Sequence, residues 1–221
     1  MGKTIIVANL KSYKNENEAK TWLESFKKIT ELSLDFTQKE IIICPSFTQL
    51  FSFFSYFSSN NISVRLGSQN VSPFDEGAYT GEVNAKQIKD FAEYVLVGHS
   101  ERRMNFNESE DMLASKVSIA LKYELNPIFL VQGQEYLVPQ GVQVVAYEPI
   151  TAIGTGTPDT PENADAVAAM IKSGNNVQVL YGGSVTADNV KSFTSKTSID
   201  GVIVGGASLE AEEFIKIIQN A

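Results

Sequence analysis

The sequence predicts an α/β protein, a closed (β/α)8 barrel formed as one domain over residues 1–221, with the fifth crossover helix truncated or missing. Three observations carry the prediction. Eight short apolar runs recur along the chain, amphipathic stretches separate them, and polar or glycine residues gather just past the ends of the runs. Runs that are continuously apolar, not alternating, suit parallel strands covered on both faces. Strand–helix alternation implies βαβ units, and eight of them favour a closed barrel over an open sheet. A chain of 221 residues is long enough for one such barrel.

The first run, Thr4–Ala8, precedes an amphipathic stretch over 15–29. Glu40–Cys44 is the second strand, and Ser46, a helix-capping residue type, opens a helix over 46–58. There Phe47, Leu50, Phe51, Phe54 and Phe57 share one face at helical spacing and are expected to point into the core. The stretch has no Lys or Arg, so a membrane-surface helix is not expected. Ser63–Leu66 and a helix over 83–91 follow, then Tyr94–Val97 and a helix over 108–123. Pro127–Val131 is the fifth strand, and only Gln132–Gly141 separates it from the sixth, Val142–Ala146. A parallel crossover takes about a dozen residues or more, usually with a helix, so the fifth helix must be short or absent. Asp159-Thr160-Pro161-Glu162 starts a helix over 161–173, before Val177–Tyr181. Thr186-Ala187-Asp188 opens a helix over 186–195; Gly201–Val204 and a helix over 208–220 complete the series.

Composition narrows the function. Lys+Arg 18 against Asp+Glu 26 gives a net charge of −8, a poor basis for binding nucleic acid or an anionic membrane. An anionic ligand would need a local attraction. One cysteine, Cys44, excludes a disulfide framework, and one histidine, His99, excludes a multi-histidine metal site. No run reaches the roughly 18 apolar residues of a membrane span. Met1-Gly2-Lys3 leads straight into the first strand without the apolar region of a secretory leader, so a cytoplasmic location is expected.

Barrels of parallel strands place their sites at the C-terminal strand ends. Read in order, those ends are Asn9-Leu-Lys11, Gln69-Asn70, Gly98-His99-Ser100-Glu101, Glu148-Pro149, Gly182-Gly-Ser184 and Gly205-Gly206. Asn9-Leu-Lys11, Val97-Gly-His99-Ser-Glu-Arg-Arg103, Ala146-Tyr-Glu148-Pro-Ile-Thr-Ala-Ile-Gly-Thr-Gly156, Tyr181-Gly-Gly-Ser-Val185 and Val204-Gly-Gly-Ala-Ser-Leu209 together resemble the motifs of the triosephosphate isomerase family, in the family's order.

The resemblance implies a TIM barrel that interconverts dihydroxyacetone phosphate and D-glyceraldehyde 3-phosphate through an enediol(ate), in glycolysis and gluconeogenesis, with no metal or organic cofactor. It makes Glu148 the base that takes a proton from carbon, His99 the neutral electrophile that moves protons between substrate oxygens, and Lys11 the electrostatic stabiliser. Asn9, Lys11, Gly154, Ser184, Gly205 and Gly206 would bind the substrate. The residues suit these roles. A helix start at Ser100 disfavours imidazolium at His99, and a backbone N–H there can donate to one ring nitrogen, leaving the other N–H for a carbonyl. Pro149 restricts Glu148 to extended conformations, and desolvation would raise its basicity. Ile153 and Ile203 are expected to cover it. Glycine at 154, 182–183 and 205–206 lets backbone N–H groups approach a phosphate. Residues 149–157 resemble the family's lid, whose closure would exclude water.

The chain departs from the family pattern in places. Leu10 stands where a tryptophan is usual, Thr151 replaces the tryptophan of the first lid hinge, and Val131-Gln-Gly-Gln134 replaces the usual Cys-Ile-Gly-Glu. Residues 69–83 resemble the long third loop that enters a partner subunit. They imply a homodimer, with Thr80 near the partner's Asn9 and the partner's Lys11. Two other functions compete. A ribulose-phosphate epimerase would rely on metal ligands, which one histidine argues against. A catalytically inactive phosphate-ligand binding barrel would need neither a base at Glu148 nor His99 and Lys11.

Overall fold

A computed structural model describes residues 2–30, 36–133, 135–152 and 158–221. Eight strands form a closed barrel: β1 (Thr4–Asn9), β2 (Lys39–Cys44), β3 (Arg65–Ser68), β4 (Tyr94–Val97), β5 (Asn126–Val131), β6 (Val144–Tyr147), β7 (Gln178–Tyr181) and β8 (Gly201–Val204). Each pairs in parallel with the next, and β8 returns to β1 with Ile5 opposite Gly201. The apolar runs are continuous because both strand faces are buried. Ile5, Val7, Ile42, Leu96, Ile128, Leu130 and Ile203 fill the barrel interior, while Ile6, Ala8, Phe129, Val131 and Val202 meet the outer layer.

That layer is made by α1 (Glu16–Thr30), α2 (Phe47–Ser59), α3 (Ala85–Lys89), α4 (Ser100–Phe106), α5 (Glu110–Lys122), α6 (Pro161–Ser173), α7 (Val190–Thr194) and α8 (Ala211–Asn220). Trp22 and Phe26 of α1 stack at 5.0 Å and meet Phe53, Phe57 and Phe214, closing the seam where the chain's two ends join. Leu10, at the family's tryptophan position, is fully buried there. The start signal at 161 acts as read: Thr160 accepts from Asn163 N at 3.2 Å, and Pro161 occupies the first turn, where no N–H is needed.

Three helix expectations need correction. The buried residues of α2 are Gln49, Leu50, Phe53 and Phe57; Phe51 is 61% exposed and Phe54 38%. Phe51 and Phe54 instead pack edge-on against Phe91, at 5.6 and 5.7 Å. A run with aromatics at almost every turn position has no unique apolar face, so packing chooses it. The helix expected over 186–195 is regular only over 190–194, because Asn189 turns back to accept from Thr186 N at 2.8 Å. The 83–91 helix shortens to α3, where Asn84 and Gln87 form a reciprocal capping box.

The crossover from β5 to β6 contains no helix among its described residues. Tyr136 and Val138 pack on the outer core in its place, and Val142 is buried. The Arg103 guanidinium lies 4.9 Å from the Tyr136 ring centre and 5.8 Å from that of Phe129, so a cation over two rings helps close this thin part of the wall. Among the described residues, no helix is long and apolar enough to cross a membrane.

Candidate active site

A pocket of about 370 Å³ opens at the C-terminal ends of the strands. Asn9, Lys11, His99, Glu148, Ser184, Gly205 and Gly206 line it, joined by Ile203. Seven of the eight residues read from the sequence as catalytic or substrate-binding thus converge on one cavity. Gly154 and the clamp candidate Ile153 lie outside the described residues.

His99 caps α4. The chain turns into it at Gly98, whose φ of 83° favours glycine and where a Cβ would stand 3.1 Å from Leu130 O. The Glu101 backbone N–H donates to His99 Nδ1 at 3.2 Å. With Nδ1 accepting this bond, Nε2 is the ring nitrogen left to donate. Nε2 faces Glu148 Oε1 at 3.3 Å. The Ser100 N–H donates to Glu148 Oε2 at 3.4 Å. Glu148 itself continues β6, its N–H donating to Val131 O at 2.8 Å. Burial pushes its carboxyl above the usual carboxylate range; His99, the Ser100 N–H and Lys11 pull in the other direction and do not cancel the effect.

Lys11 sits in a left-handed conformation, φ 51°. Its N–H donates to Asn9 Oδ1 at 3.1 Å, and its carbonyl accepts from Gln69 Nε2 at 2.9 Å. Strain of this kind persists where surrounding bonds over-determine it. The ammonium pairs with Glu101 Oε1 at 2.5 Å. Ser184 also has φ 51°, and its hydroxyl donates to Ala152 O at 2.7 Å, tying the turn after β7 to the one after β6. Asp159 N donates to Tyr181 Oη at 2.8 Å, a second tie between these segments.

The glycines make room. A Cβ on Gly182 would come within 2.7 Å of Ile203 Cγ2 and 2.9 Å of Glu148 Cγ, which places Ile203 beside the carboxylate stem. A Cβ on Gly205 would approach Lys11 Cε at 3.1 Å. Among the described residues, no three of His, Cys, Asp and Glu come together as a metal site.

Sequence reasoning missed several residues at or behind the site. Glu101 fixes both His99 and Lys11, and its position in the first turn after His99 was the available signal. Tyr13, Thr186 and Leu209 line the cavity itself, but residues of ordinary type outside the strands carry no such signal.

The family model described as triosephosphate isomerase matches residues 4–137 and 137–221. Its break falls in the shortened crossover. A curated triosephosphate isomerase of Dictyoglomus turgidum is 38% identical over 254 aligned positions, covering all of both chains. That of Trichodesmium erythraeum is 38% identical over 242, covering 99% of each, and that of Mesomycoplasma hyopneumoniae strain 232 is 36% identical over 244, covering 99% of this chain and all of the relative. A closed parallel barrel, a family match on both sides of the missing helix and relatives aligned end to end establish that this chain belongs to the triosephosphate isomerase family and is an isomerase.

Proposed function

We propose that the chain interconverts dihydroxyacetone phosphate and D-glyceraldehyde 3-phosphate through an enediol(ate), with Glu148 as base, His99 as neutral electrophile and Lys11 as electrostatic stabiliser. The observation that carries this reading is the approach of His99 Nε2 to the buried Glu148 carboxylate, 3.3 Å apart, in the pocket that holds Lys11.

In the forward step, Glu148 takes a proton from the carbon beside the substrate carbonyl. The electron pair moves into the carbon–carbon bond and the carbonyl oxygen becomes negative. The Nε2–H of His99 donates to that oxygen, and the Lys11 ammonium lowers the energy of the charge, a contribution of about 3 kcal/mol for a single donor of this kind. Glu148 then returns the proton to the neighbouring carbon while the hydroxyl proton passes through His99. Asn9 holds Lys11 in register through its side-chain oxygen. The phosphate lies against Ser184, Gly205 and Gly206, with Gly154 supplied by the lid. Both half-reactions use groups of the chain alone, so no metal or organic cofactor is assigned. The reading places the protein in glycolysis and gluconeogenesis, in the cytoplasm.

Residues 69–83 support a homodimer. Residues 76–82 are exposed, and Phe74 stacks on Tyr79 at 4.3 Å with both rings nearly half exposed. Asp75, drawn down to about 2 by hydrogen bonds from Lys122 and Tyr123, ties the loop to α5. This arm would bring Thr80 to the partner's Asn9 and the partner's Lys11.

The test is a coupled assay from glyceraldehyde 3-phosphate on wild type and Glu148→Gln. Wild-type turnover that falls at least about 100-fold in the variant supports the reading. Substrate that binds wild type without taking up deuterium at carbon from heavy water would identify the inactive phosphate-binding barrel instead.

A further inference from the structure

The shortened crossover starts with a residue that the mechanism does not use. Strand β5 alternates, Ile128 and Leu130 facing the barrel interior and Phe129 and Val131 the outer layer. Gln132 follows directly, where the chain leaves the strand. Val131 stands opposite Tyr147 in the register, so Gln132 stands beside Glu148. The side-chain Oε1 and Nε2 of Gln132 are both buried and have no hydrogen-bond partner among the described residues. Ser100, whose backbone N–H donates to the carboxylate, also has a buried and unpartnered Oγ. Buried polar groups are nearly always satisfied, so an unspent one beside a reacting group calls for an explanation.

The groups facing Glu148 define what that is. They are His99 and Glu101 after β4 and Lys11 after β1, with Gly182 and Ile203 presented by β7 and β8. The two contacts that hold the carboxylate, 3.3 Å to His99 Nε2 and 3.4 Å to Ser100 N, are long for charged hydrogen bonds. The first must break when His99 turns its N–H to a substrate oxygen. The carboxylate then needs another donor, and a free amide N–H₂ is its neighbour.

We propose that Gln132 is a positioning residue for Glu148: its side-chain amide donates to the carboxylate once that carboxylate leaves His99. The usual family residue at this position is an isoleucine, which has no such donor. The inference rests on reading Glu148 as the base.

Two variants of similar size test it. Gln132→Met removes the donor while keeping length and volume, and Gln132→Glu places a like charge there. His99 is the only histidine, so its ring nitrogens are followed by NMR without sequence assignment, and Glu148 Oε1 lies close enough to Nε2 for its titration to appear in that shift. The expected result for Gln132→Met is an upward move of about half a pH unit or more in that inflection and in the acid limb of kcat. Turnover falls roughly tenfold with KM nearly unchanged. Gln132→Glu moves both further up. A shift in either titration supports the pairing. Titrations unmoved in both variants, whatever happens to thermal stability, overturn it. If wild type does not isomerise, the functional reading fails, while the His99-reported titration still decides whether Gln132 and Glu148 interact.

Discussion

Glu148 combines a chemical gain with a folding cost. Burial raises the proton affinity of its carboxyl in the folded chain, so the folded state binds more protons than the unfolded one as pH falls through the carboxylate range. Its contribution to stability is therefore fully present below the unfolded value and is lost as pH rises through the folded value. Glu148→Gln should be more stable than wild type at pH 7, by about 1 kcal/mol, with the advantage shrinking towards pH 4. Urea unfolding at the two pH values reads this, and equal stability at pH 7 would show that the buried charge costs nothing. The same burial predicts that wild-type turnover is lost on the acid side at a higher pH than an ordinary glutamate would give. Gly182 tests position rather than charge. Its Cβ would press on Glu148 Cγ and Ile203 Cγ2, so Gly182→Ala should lower kcat roughly 100-fold through a displacement well under the width of an atom. Normal turnover with a normal fold would show that the carboxylate tolerates the shift.

At the scale of elements, the long loop after β3 and the pair α4–α5 form one assembly. Glu108, between the two helices, accepts from Arg102 Nε at 2.6 Å and from Lys116, and Lys116 also reaches Asn70 Oδ1 at 2.6 Å. Glu108 and Lys116 are both buried, and burial holds the Lys116 ammonium below its usual range despite its partner. Removing one member leaves an uncompensated charge inside. Glu108→Gln should destabilise the fold by about 3 kcal/mol, measured by denaturant unfolding, and a cost under 1 kcal/mol would mean that water reaches the site. The sequence showed the long loop but not this anchor, because Asn70, Glu108 and Lys116 are ordinary polar residues until the fold buries them together. The truncated fifth helix was legible from connection length alone. That Arg103 and Tyr136 would cover the gap was not, since Arg103 belongs to a helix-start motif far away in the chain.

For the whole molecule, closure depends on the β1–β8 seam. Gly201 lies opposite Ile5, and any Cβ there would collide with the Ile5 carbonyl. Gly201→Val should lower the midpoint of thermal unfolding by roughly 5–10 °C, and an unchanged midpoint would show that the seam can open without loss. The proposed dimer is tested at this scale too: sedimentation at micromolar concentration should give twice the chain mass, and Tyr79→Glu should give a single-chain mass. By itself the sequence determined the eight strands, the missing helix and the strand-end residues of the site. Local apolar runs, connection lengths and motifs are properties of neighbours along the chain. The buried face of α2, the left-handed turns at Lys11 and Ser184, the hold of Glu101 on His99 and Lys11, and the unspent amide of Gln132 were decided only in the tertiary structure. Each depends on which distant segments share a layer, and burial and hydrogen bonding are settled by that packing.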